Sequence, residues 1–228
     1  EDNYGLIDDE KLQLLTENLY RFDGYTDIVD CGDDILIVWN KLSTLVDENT
    51  TKLDVLKATG IASIYYNKAT GKFHDFNFTR NDDRNKIFIA PKAVYNEQTD
   101  TAHAFFTSID LSTITGQSTL EDIHNLPVSL YTMAVSPSGS NEWSVPVKIN
   151  TTEKTIKYYD AIENGDSVSV AYVAADSDGY VLDDISQYEN DFDEETLKSF
   201  NTVNKLYMQD IKYDTTNDEI VIEERVQI

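Results

Sequence analysis

The sequence predicts a mainly β protein with two accessory helices, and three observations carry that prediction. Leu130, Thr132, Ala134 and Ser136 alternate with Tyr131, Met133, Val135 and Pro137. The break Ser138-Gly139-Ser140-Asn141 then precedes Trp143, Val145 and Val147, so two half-buried strands are joined by a turn. Short runs of β-branched and aromatic residues between Gly, Asn and Asp clusters recur along most of the chain. Uninterrupted helical spacing of apolar residues is confined to two stretches.

The first of these lies near the N-terminus. Leu12, Leu15 and Leu19 fall on one helical face, with Asp8 and Asp9 at the positive end of the dipole and Gly24 beyond the end. Next, Asp34-Ile35-Leu36-Ile37-Val38-Trp39 reads as a buried strand. Leu42, Leu45, Val46, Leu53 and Leu56 fit a helix that Asn49, Thr50 and Thr51 interrupt. Residues 61–66 and 72–78 predict a hairpin around Asn67-Lys68-Ala69-Thr70-Gly71, with the glycine where a positive φ is commonly required. Asn81-Asp82-Asp83-Arg84-Asn85 is a turn. Ile87-Phe88-Ile89 and His103-Ala104-Phe105-Phe106 are strands on either side of a polar stretch at 96–101.

After the strand pair at 126–147, residues 155–159 and 167–174 flank Glu163-Asn164-Gly165-Asp166, where Asn-Gly signals a hairpin. Asp193-Glu194-Glu195 opens the second helix, with Leu197, Phe200 and Val203 inward and Tyr207 continuing the stripe. A closing hairpin pairs 208–213 with 219–226 around Thr215-Thr216-Asn217-Asp218. The organisation is then a helical segment at 1–27, a β domain at 28–151 and a small α+β or β domain at 152–228, with no internal repeat and no low-complexity linker.

Composition narrows the function. In 228 residues, 42 acids face 18 Lys and Arg, a formal charge of -24. Such a surface repels phosphate backbones and anionic membranes, so nucleic acid is excluded as a partner, and a cation or a basic protein is favoured. Abundant Lys argues against a halophilic origin. No apolar run approaches the roughly 20 residues needed to cross a bilayer, so no membrane insertion is expected. The chain starts at Glu1 without an initiator Met, which implies removal of a signal or pro-segment, or trimming. Asn49, Asn77 and Asn150 open glycosylation triplets at about the frequency chance supplies in so Asn- and Thr-rich a chain.

Chemistry-bearing motifs are few. Cys31 is the only cysteine, so it forms no intrachain disulfide; Asp30, Asp33 and Asp34 beside it raise a thiol pKa, and it reads as a packing residue. His74, His103 and His124 have no metal-type spacing and no nucleophile turn beside them. Glycine-rich phosphate loops are absent. Asp176, Asp178, Asp183 and Asp184, with the turn at Gly179, form a candidate calcium loop. It fails the EF-hand pattern, because Ala174 and Ile185 would occupy the first and twelfth ligand positions, so only weak binding is expected. Asp30, Asp33 and Asp34 make a lesser candidate.

A resemblance rests on Pro127-Val128-Ser129-Leu130-Tyr131, preceded by Leu126 and followed by Met133, Val135, Gly139 and Glu142-Trp143-Ser144-Val145-Pro146-Val147. This segment, 126–152, resembles the last two strands of a fibronectin type III module, an immunoglobulin-like β-sandwich. Residues 34–39 resemble its early strand ending in a core tryptophan. The resemblance implies a sandwich in which Trp39, Tyr131 and Val135 share one core. The long interval between Trp39 and Tyr131 then requires an insertion or a different fold. The expected function is that of a non-enzymatic structural or interaction component with no cofactor. It would sit on a virion, in a tailed-phage head, neck or tail, and assemble through contacts with other protein subunits. The alternative is a secreted bacterial adhesion, pilus or glycan-binding module at the cell surface. The terminal segments 1–20 and 208–228 are the expected docking elements.

Overall fold

The computed structural model describes residues 26–43, 49–80, 85–119, 122–123, 126–139, 142–150, 155–175 and 204–228. Four strands in chain order, β1 (Thr26–Cys31), β2 (Asp34–Leu42), β3 (Thr59–Asn67) and β4 (Lys72–Thr79), make a first antiparallel sheet. The second sheet is β5 (Lys86–Asn96), β6 (Thr101–Asp110), β7 (Val128–Val135) and β8 (Val147–Lys148), again in chain order. The third runs β9 (Thr155–Asn164), β10 (Ser167–Ala175), β11 (Asn204–Asp214) and β12 (Glu219–Ile222), with β13 (Val226–Gln227) following β12 along the same edge of β11. The sequence showed no repeat, yet the same four-strand meander occurs three times.

Between β2 and β3 lies one short helix, α1 (Lys52–Lys57). Thr51 starts it with a capping box, its hydroxyl accepting from Asp54 N at 3.2 Å while the Asp54 carboxylate accepts from Thr51 N at 3.0 Å. The polar triplet 49–51 that interrupts the helical pattern is thus the helix start. The helix predicted at 8–20 lies outside the described residues, as does 193–203 of the second; Tyr207, placed on that second helix, sits instead on β11.

Turn chemistry sets the registers. Cys31 pairs with Asp34 and Asn164 with Ser167, leaving two-residue loops Gly32-Asp33 and Gly165-Asp166. Only the glycine of each has positive φ, +77° and +60°, which is the type II′ arrangement with Gly in the first central position. The Asn-Gly signal therefore located the hairpin but not its centre. Longer loops share another device, once in each sheet. Asn67, Asn96 and Asp214 accept from the backbone N–H of Thr70, Thr99 and Thr216 at 2.9–3.0 Å, and each loop ends in a left-handed residue, Gly71, Asp100 or Asp218.

The sheets stack face to face. Leu36, Val38, Tyr65 and Ile61 of the first pack on Ala102, Phe106, Met133 and Val135 of the second. The opposite side of the second, with Phe105, Leu130 and Ala134, packs on Val168, Val170, Tyr172 and Ile211 of the third. β5 is stitched to both neighbours at a bulge between Ile89 and Lys92, where Pro91 lacks an N–H and Ala90 has φ +54°. Asn40 of β2 accepts from Ala90 N at 3.0 Å and donates to Phe88 O at 3.0 Å; from the other side the Tyr159 hydroxyl donates to Ala90 O.

The fibronectin resemblance is overturned by this topology. Residues 126–152 supply β7 and β8, the third and fourth strands of one meander begun by β5 and β6. An immunoglobulin-like sandwich instead distributes consecutive strands between two sheets through Greek-key connections. Nor do the three core residues meet: Trp39 packs with Ala62 and Ile64 on the outer side of the first sheet, whereas Val135 and Tyr131 face the interface between first and second sheets. Alternation, a Ser/Gly turn and a tryptophan are what any antiparallel hairpin with one buried face requires, so the local pattern does not say which sheet the hairpin joins. Trp143 is no sheet residue at all; it wedges between the first two sheets, its Nε1 donating to Ser63 Oγ at 2.9 Å.

Candidate functional site

The predicted calcium ligands Asp176, Asp178, Asp183 and Asp184 lie outside the described residues, and so does His124. The second acidic cluster is described, and two of its three carboxylates, Asp30 and Asp34, are engaged. Asp30 receives Lys68 Nζ at 2.6 Å and Gly32 N at 3.0 Å, and Asp34 receives Asn67 Nδ2 at 2.8 Å and faces His74 Nε2 at 3.3 Å. Among the described residues no three His, Cys, Asp or Glu side chains are grouped to hold a metal. Cys31 is buried, and burial first, then the charges of Asp30, Asp34 and Asp100, push its thiol up to about 12.

The two described histidines have opposite environments. Burial pulls His74 down, but the hydrogen bonds its imidazolium donates to Asp75 and Asp34 outweigh it and raise its pKa. His103 lies between the second and third sheets at 1% exposure, its Nδ1 has no partner, and burial depresses it to about 4. Neither stands beside a hydroxyl or thiol nucleophile in a cleft. A depression of about 380 Å³ does open beside α1, with Leu53, Leu56, Ile114 and Ile123 below a rim that includes Thr115 and Ser118. Thr51 and Thr119, also on this rim, are engaged in caps with Asp54 and Asp122.

Among the described residues, most of the exposed large apolar side chains stand on the outer face of the third sheet. Register places Tyr158, Val173 and Leu206 in one cross-strand row, extended by Ile228, whose N–H bonds Leu206 O at 3.0 Å. Asp160, Ala171, Met208 and Val226 form the next row, and Ile162, Ser169 and Asp210 the third. Tyr158 is 73% exposed, Ile162 66% and Ile228 69%, so apolar side chains stand in water where the other sheets cover theirs. Lys92 bonds Asp160 at 2.7 Å and holds its carboxyl below the usual range, Lys212 bonds Asp166 at 2.9 Å, and Asp210 in the third row accepts from the Ser169 hydroxyl.

Of this face the sequence reading named only the segment 208–228, although a further signal was present. Residues 167–175, Ser-Val-Ser-Val-Ala-Tyr-Val-Ala-Ala, are almost continuously apolar or small, and β11 carries Leu206 and Met208 on one side against Tyr207 and Ile211 on the other. Strands that are apolar on both sides are strands with both faces covered.

No protein-family profile matches the chain, and no curated protein sequence does. Solved structures give distant likenesses. Trypanosoma rangeli sialidase in complex with sialic acid is 9% identical at TM-score 0.43 over 89% of this chain and 30% of that one. Full-length β-fructofuranosidase from Microbacterium saccharophilum K-1 is 11% identical at TM-score 0.37 over 89% and 47%. Kuenenia stuttgartiensis hydrazine synthase is 7% identical at TM-score 0.37 over 87% and 57%. The chain thus spans under two thirds of the length of each of these proteins, and a likeness at this level carries no activity over to it.

Proposed function

We propose that this chain is a non-enzymatic structural or interaction component that works by docking sheet faces, with its three meanders serving as successive blades of a propeller-type stack. The observation that carries the reading is the outer face of the third sheet: Tyr158, Ile162, Leu206, Met208, Val226 and Ile228 are exposed on the side turned away from the second sheet. Apolar rows flanked by paired charges are the anatomy of a protein contact. The blade reading is supported by three meanders in chain order stacked through alternating sides, since radial repetition of four-stranded sheets defines that architecture. The strand-rich, Asn-, Thr- and Tyr-rich composition favours a virion as the assembly. A secreted glycan-binding module is the second reading, favoured by the hydroxyl-bearing rim and apolar floor of the depression beside α1.

Hydroxyl-radical footprinting of the chain in its native assembly and in isolation tests the proposal. Tyr158 and Met208 are expected to be protected in the assembly. Equal reactivity in both states, or turnover of a glycan or peptide by the isolated chain, overturns it.

A further inference from the structure

We infer that the corner of the first sheet where Lys41, Ser43 and Arg80 meet binds a tetrahedral oxyanion such as phosphate or sulfate. Alternation along β2 and β4 puts the three side chains on one side of the sheet. Trp39 and Phe78 belong to its outer cluster, so Lys41 and Ser43, two and four residues past Trp39, stand on that side, and so does Arg80, two past Phe78. The ladder continues beyond β2, with Ser43 N donating to Ala58 O at 2.8 Å. Arg80 reaches across, its Nη1 donating to Ser43 Oγ at 2.8 Å. Residues two apart on a strand are about 7 Å from each other, so the guanidinium held by Ser43 is a neighbour of Lys41.

Among the described residues, Lys41 is the only Asp, Glu, Lys or Arg that is buried, at 9% exposure. A lysine on a sheet face ordinarily carries its amine out to water along an apolar stem. This one turns its Nζ onto Leu42 O at 3.0 Å, with the Phe78 ring centroid 5.5 Å away. That ring lies where Gly60, the cross-strand partner of Lys41, has no side chain: a Cβ there would meet it at 2.9 Å. Burial lowers the pKa of the amine, so its charge is held at a cost.

What is missing is a counter-charge. The partly exposed Lys68, Lys92 and Lys212 each sit on a carboxylate. In a chain with 42 acids and 18 Lys and Arg, neither Lys41 nor Arg80 has one among the described residues. A buried cation left without a counter-charge is costly, and an anion taken from solution supplies the partner. The remaining N–H groups of Lys41 and Arg80 and the Ser43 hydroxyl proton make three donor groups. They suit an anion with three or more oxygens better than a carboxylate with two. Asp47, Glu48, Asp82 and Asp83, outside the described residues, compete for the same two cations. If they hold them, no anion binds.

Calorimetric titration of the intact chain with inorganic phosphate tests the inference, at neutral pH and about 0.1 M ionic strength, where repulsion by the net negative charge is screened. One phosphate is expected per chain, displaced by sulfate but not by acetate at the same concentration. Lys41→Met and Arg80→Gln each weaken binding about 10-fold or more, as loss of a charge-assisted hydrogen bond does. Lys68→Gln, which removes a cation already paired with Asp30, leaves binding unchanged. Thermal melts check that both site variants fold; should Lys41→Met fail, Arg80→Gln decides, because Arg80 is only half-buried. Phenyl phosphate separates the sources of the anion. Tighter binding than inorganic phosphate assigns the site to a phosphate monoester whose organic group lies on Phe78, and equal or weaker binding assigns it to the free anion. No binding of phosphate, displacement by acetate as readily as by sulfate, or binding unaltered in both site variants overturns the inference.

Discussion

His103 gives this protein an acid-sensitive joint between its second and third sheets. The folded chain holds the imidazole neutral down to about pH 4, because the ring is 1% exposed and its Nδ1 has no partner. Unfolded, the same ring protonates near its ordinary pKa of about 6.5. Between these values the unfolded state binds the extra proton, so stability is full above about pH 6.5, declines as the pH falls toward 4, and levels off below. The gap of roughly 2.5 pKa units, at about 1.4 kcal/mol each, amounts to about 3–4 kcal/mol. His74 works in the opposite sense: its raised pKa adds stability below about pH 6.5 that is lost as pH rises through the folded value. The lowered carboxylates, Asp100 and Asp160 among them, lose their contribution only as the pH falls through still lower values. Urea unfolding followed by tryptophan fluorescence at several pH values between 7 and 4 reads the effect, with Trp39 buried as the reporter. In a His74→Gln background, His103→Gln should flatten the pH dependence across that window, whatever it does to absolute stability. An unchanged slope in the double variant would refute the reasoning.

Four further outcomes are expected. Asn40→Ala strands Ala90 N and Phe88 O in the interface between the first sheet and β5, and should cost about 3 kcal/mol in urea unfolding. Gly165→Ala meets no atom within 4 Å, so its cost of about 1–2 kcal/mol comes from the positive φ alone; a calorimetric melt that matches the parent would contradict the type II′ turn. Cys31, buried with its thiol near 12, should resist iodoacetamide at pH 8 in the native chain and react once urea unfolds it. Calorimetric titration with calcium should give no micromolar site, and one lost in Asp178→Ala would make cation-dependent adhesion the leading function.

What the sequence determined by itself is local. The run at 34–39, the hairpins around Gly71 and Gly165, and the closing hairpin all lie where alternation and turn residues place them, since both signals act over a few residues. β1 was missed because Thr26-Asp27-Ile28-Val29-Asp30-Cys31 mixes acids with apolar residues, and its strand identity comes from pairing with β2. The candidate face was legible only as strands apolar on both sides.

Tertiary structure decided which hairpin joins which sheet. A hairpin of a sandwich and a hairpin of a meander need the same alternation and the same turn, so residues 126–152 could resemble one while forming the other. The choice is made by contacts distant in sequence: Asn40 on Ala90, Tyr159 on Ala90 and Phe105, Trp143 on Ser63. The same stacking buries the faces of the first two sheets against each other and leaves the outer face of the third in water, which no run of neighbouring residues specifies.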